Sequence, residues 1–136
     1  YAAVTVNQQD DARSVDTDEI RLTLPALPAY GRVARLAVTG LASRNGYSYD
    51  EVEDLRIAIG EAFGVLVPEA RPGGRLELTC LLLPDALDVT ATRRPPEPIE
   101  QVTDLSRQIL AAVVDRAEID EPGGRIRVRK QLGSCP

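Results

Sequence analysis

Histidine, tryptophan and methionine are absent from this sequence, and phenylalanine and lysine occur once each, at Phe63 and Lys130. Without histidine, neither a His-based catalytic dyad nor a His-containing zinc site can be built. Four tyrosines and Phe63 are the only aromatics, so the core must come from Leu, Val, Ile and Ala. Bases are fewer than acids, 16 against 21, for a net charge of −5. That balance argues against a primary nucleic-acid binder, which needs a basic surface, and suits a basic protein partner. No apolar run is long enough to span a bilayer, and no signal peptide is seen. The two cysteines, Cys80 and Cys135, have no motif spacing. Cys80 lies in an apolar run and reads as a buried thiol, Cys135 as an exposed one near the end. This usage fits a reducing cytoplasm, which is the expected location. The excess of Arg over the single Lys reads as composition bias.

What is present organises as one domain of 136 residues, large enough to fold without disulfide or metal staples. Residues 1–18 are polar and acidic toward their end, which predicts a disordered arm. The domain is expected over 19–132, with 133–136 as a tail. In "EIRLTLPAL", Ile20, Leu22 and Leu24 share one face of a strand, which Pro25 and Pro28 end. The next stretch predicts a helix with Val33, Leu36, Ala37 and Leu41 inward, stopped at Asn45-Gly46. Ser48 and Glu51 have capping-box spacing and open a second helix, with Val52, Leu55, Ile59, Ala62 and Leu66 as its core stripe. Residues 75–93 predict two strands around a turn at Pro84-Asp85. A third helix is expected from about Thr103 to Asp115, with Leu105, Ile109, Ala112 and Val113 inward. "RAEID" and "RIRVRK" are expected as the last strands, separated by Pro122-Gly123-Gly124. The arginines of "RIRVRK" read as the wet face of a half-buried strand. The layout is an α/β (α+β) two-layer sandwich: a mixed, mainly antiparallel sheet with three helices on one face.

"GYSYDEVEDLRIAIGEA" resembles the RsbW-like anti-sigma factors, the serine-kinase branch of the histidine-kinase-like (GHKL) ATPase fold. The resemblance covers roughly residues 19–132, is strongest across 44–63 and is weak after 84. It implies a Glu-Ala-x-x-Asn motif on the second helix, its Glu the general base toward a target serine and its Asn a Mg²⁺ ligand. Glu61 and Ala62 match that motif, but the Asn position is Val65, which has no lone pair to offer a hard cation. The implied Asp-x-Gly-x-Gly motif falls on Arg93, Pro95 and Glu97. An arginine can only donate where the Asp would accept from adenine, and Pro95 and Glu97 lack glycine's freedom. Asp85 and Asp88 lie upstream, but neither has glycines after it. The implied Gly-x-Gly at the third helix falls on Asp104 and Ser106, and an acid there repels phosphate. No glycine occurs between Gly74 and Gly123. The segment between these two motifs is also shorter than in active relatives.

The resemblance therefore implies a degenerate member, a pseudokinase with no cofactor and no metal, in which Glu61 is a remnant of the general base. It implies binding of an alternative, stress- or sporulation-type sigma factor, release by a STAS-type anti-anti-sigma antagonist, and a homodimer. The partner-binding arginine of the first helix maps to Arg35, with Arg32 one turn earlier. A plain solvated helix face is the competing reading of both. Two rival functions remain at this level: an active ATP-dependent serine kinase, for which Glu61 speaks, and a small-ligand-sensing dimeric binding module.

Overall fold

The computed structural model describes residues 3–7, 17–100 and 102–133, the first of these by backbone alone. The elements run β1 (Ala3–Asn7), β2 (Asp18–Pro25), a short 3-10 turn (Pro28–Tyr30), α1 (Gly31–Arg44), α2 (Tyr49–Leu66), β3 (Arg75–Leu82), β4 (Ala86–Arg94), α3 (Asp104–Val113), β5 (Arg116–Asp120) and β6 (Arg125–Gln131). The expected disordered arm differs at both ends. Ala3–Asn7 is a strand in register with Glu19–Thr23, and Asp18 already belongs to β2. Residues 8–16 lie outside the described residues, as do Gln101 and residues 134–136, with Cys135 among them.

The strands form one sheet in the order β1-β2-β3-β4-β6-β5. Every neighbouring pair is antiparallel, so the mainly antiparallel sheet expected is wholly so. The connection through α3 explains why no parallel pair arises. It carries the chain past β4 to the sheet edge, and the turn at 121–124 returns β6 into the gap. β4 and β5 run the same way but never touch.

Alternation fixes which face of the sheet is covered. Leu22, Leu24, Leu76, Leu78, Leu87, Val89, Ala91, Ile126 and Val128 are buried under the helices. α2 is anchored by the capping box: Glu51 N–H donates to Ser48 Oγ at 3.1 Å, and Ser48 N–H donates to Glu51 Oε1 at 2.8 Å. Its stripe faces the sheet as expected, with Leu55, Ile59, Ala62 and Leu66 buried and Val52 half-buried.

Two helices sit in a different phase from the one expected. On α1 the fully buried residues are Ala34, Val38 and Ala42, while Val33 and Leu36 are 40% and 61% exposed. The stripe of smaller side chains lets α1 lie close to α2, where Gly31 meets Phe63. On α3, Ser106 and Leu110 are buried and Leu105 is 64% exposed. The cap fixes where α3 begins: Ser106 N–H donates to Thr103 Oγ1 at 3.0 Å.

On the uncovered face, Asp88 is buried because Arg127 grips it with Nη2 at 2.8 Å and Nε at 3.0 Å. That hydrogen bond and charge raise the Arg127 pKa above its ordinary value. Cys80 is buried on the helix side, and burial, with Asp88 nearby, pushes its thiol up to about 12.

Candidate functional site

Glu61 sits on the side of α2 that faces α3, and Gly64, Val65 and Leu66 follow it along the helix. Together with the loop after α2, the end of β4, the strap 95–100 and the start of α3, they line a cavity of about 320 Å³. Glu61 is held there by a relay of hydroxyls. Thr103 Oγ1 donates to Ser106 Oγ at 3.1 Å, and Ser106 Oγ donates to Glu61 Oε2 at 2.6 Å. The N-terminus of α3 lies beside this carboxylate. A serine position that reads only as a lost glycine in the sequence is therefore the partner of Glu61.

Arg93 lines the same cavity and is only 3% exposed. Its Nη1 donates to the Leu66 carbonyl at 2.9 Å, and its Nη2 donates to the carbonyls of Arg71 at 2.5 Å and Gly73 at 2.9 Å. Glu97 lies 3.5 Å from Nη2. Arg93 Nε is buried and has no hydrogen-bond partner among the described residues. Val65 adds apolar surface to the wall, and Asp104, exposed, opens α3. Pro95 follows Arg93 by two residues, where the chain leaves β4. The structure thus gathers Glu61, Val65, Arg93, Glu97 and Ser106 around one cavity.

Arg35 and Arg32 lie elsewhere, on α1. Arg35 is half-buried, and its side chain crosses the seam between α1 and α2: a Cβ at Gly60 would stand 3.5 Å from its Cδ. Arg32 is exposed. Neither makes an ion pair among the described residues. The surface beside them is apolar, with Leu36 and Val33 exposed on α1 and Ile57 on α2. The expected picture, arginines opposite an inward Val33–Leu36 stripe, is corrected: those side chains share the outer surface.

The lone lysine also has a structural role that the sequence did not reveal. Lys130, buried, donates to Asp54 at 3.0 Å and to the Val113 carbonyl at 3.0 Å, tying the far ends of α2 and α3 to β6. Tyr47 donates to the Lys130 carbonyl at 2.8 Å, and burial, followed by Glu51, Asp115 and Asp85, pushes its hydroxyl up to about 12. Only its rarity marked Lys130 in the sequence.

Fold and cavity together define a two-layer α+β protein with a carboxylate set beside the N-terminus of its third helix. Comparison with known proteins narrows the class. No family model matches the chain. Serine-protein kinase RsbW of Listeria monocytogenes serotype 4a is 43% identical over 75 residues, 53% of this chain and 48% of that protein. The protein of the same name from Bacillus subtilis is 51% identical over 47 residues, 35% of this chain and 29% of its own length. That of Halalkalibacterium halodurans is 38% identical over 76 residues, 55% and 47% respectively. The chain spans about half or less of the length of these curated relatives. Over that stretch it is RsbW-like, and its α+β architecture fits the GHKL fold that this resemblance implies.

Proposed function

We propose that the chain acts as an anti-sigma factor by binding alone, without ATP. It would sequester an alternative sigma factor of the stress or sporulation type and release it to a STAS-type anti-anti-sigma antagonist competing for the same surface. The observation that carries this reading is the combination of an RsbW-like α2, Glu61 included, with a cavity lined by a buried Arg93. Mg²⁺ needs oxygen ligands, and Val65 stands where the family's asparagine would supply one. The partner surface is the outer side of α1 and α2, where Arg35 and Arg32 lie among exposed Leu36, Val33 and Ile57. Uncommitted guanidinium groups at the edge of an apolar patch are a common form of protein-binding surface. Self-association as a homodimer is part of the same proposal.

The test uses purified candidate sigma and antagonist proteins in nucleotide-free buffer. Binding is expected without ATP, and Arg35→Ala should weaken it. A sigma factor that binds only when Mg-ATP is added would sink the reading. The active-kinase alternative keeps one observation in its favour, the hydrogen-bonded Glu61 carboxylate beside the α3 N-terminus. Phosphate transfer from labelled ATP to an antagonist serine would establish it.

A further inference from the structure

The strap Pro95-Pro96-Glu97-Pro98-Ile99-Glu100 lines the cavity through its last four residues, and Glu97, Ile99 and Glu100 fasten it. Arg71 pairs with Glu97 at 3.3 Å and also with Glu100. Arg93 approaches Glu97 from inside. Ile99 N–H donates to the Glu121 carbonyl at 2.7 Å, and its side chain is buried. Gly124, at φ +63°, lets the β5–β6 turn close onto Glu97, since a Cβ there would collide with the Glu97 carbonyl oxygen. On the opposite wall the three carbonyls that Arg93 engages belong to the end of α2 and to the loop after it. One guanidinium therefore joins both walls of the cavity to the strap. A buried guanidinium is costly unless its donors are met, and here three backbone carbonyls accept from it while the Glu97 carboxylate lies 3.5 Å from Nη2.

We propose that Arg93, in the wall of this cavity, holds the strap 95–100 shut. The strap is then a permanent wall and not a ligand-gated lid. This goes beyond the binding function proposed above and does not depend on the identity of any partner.

Hydrogen exchange followed by mass spectrometry tests it on the full chain. In Arg93→Ala, peptides covering 66–74 and 93–104 should exchange at least tenfold faster, while the first half of α2 is unchanged. Methylguanidinium at millimolar concentration should restore protection to Arg93→Ala saturably and leave the wild type unaffected. Wild-type exchange in Arg93→Ala, or a lack of rescue, would overturn the proposal. Should Arg93→Ala fail to fold, the double substitution Glu97→Gln, Glu100→Gln keeps the question open to test. It leaves the carbonyl bonds of Arg93 in place and should speed exchange in 93–104 alone. Unchanged exchange there would equally overturn the proposal.

Discussion

Arginine does three different jobs here, and the environment of each guanidinium decides which. Arg127 neutralises a buried aspartate, Arg93 caps backbone carbonyls, and Arg35 lies uncommitted over glycine at a helix seam. Arg35, like Arg32, makes no ion pair among the described residues. Arg35→Ala should weaken partner binding at least tenfold, because a charge-assisted contact at an interface centre commonly costs about 2–5 kcal/mol on truncation. Its Tm should stay within error of wild type, and Arg44→Ala serves as the control. Leu36→Asp should impair binding in the same way without loss of stability. Equal affinity of both variants with wild type would move the partner surface off α1.

Glu51 carries the pH-dependent part of the account. Its carboxylate accepts from Ser48 N–H and from Gly133 N–H, which hold its pKa below the ordinary carboxylate value. A lowered folded-state pKa means stability that is present above the ordinary value of about 4.3 and is lost as pH falls through the lowered one. Urea midpoints followed downward from pH 6 should therefore fall more steeply for wild type than for Glu51→Gln. Parallel curves would show that Glu51 contributes nothing to acid sensitivity.

At the scale of elements, packing depth separates residues that look alike in the sequence. Leu55→Ala on α2 should cost about 2–5 kcal/mol, the range for a truncation in a packed core. Val38→Ala on α1 should cost on the order of 2 kcal/mol, from two methyl groups and the cavity they leave. Leu36→Ala, about 200° around the helix from Val38 and exposed, should be near neutral, and the reverse order would restore the sequence-derived helix phase. That phase was misread for a physical reason. Periodicity weighs large apolar residues most, whereas α1 buries alanines where it packs against α2. α2 was legible because its large residues and its capping box agree. α3 was shifted because Ser106, a polar residue, turns inward to meet Glu61, a long-range bond that no local pattern contains.

At the scale of the whole molecule, strand alternation and turn residues were enough to read a two-layer sandwich. The place of β6 between β4 and β5 was not, because it depends on where a crossover lands. The edge strand Ala3–Asn7 was also missed, since a short polar-flanked segment gains its order only from pairing with β2. The candidate site was half legible. The residue identities at 65, 93, 95, 97, 104 and 106 spoke against a nucleotide, but that Arg93 lies buried in the cavity wall required coordinates. No helix among the described residues is long and apolar enough to cross a membrane.

The central claim is that this RsbW-like domain works by binding without nucleotide, and titration calorimetry with Mg-ATP tests it most directly. No saturable heat is expected at concentrations up to about 1 mM, equivalent to less than about 4.1 kcal/mol of binding free energy. A saturable isotherm with a dissociation constant near ~1 μM, about 8.2 kcal/mol, would contradict it.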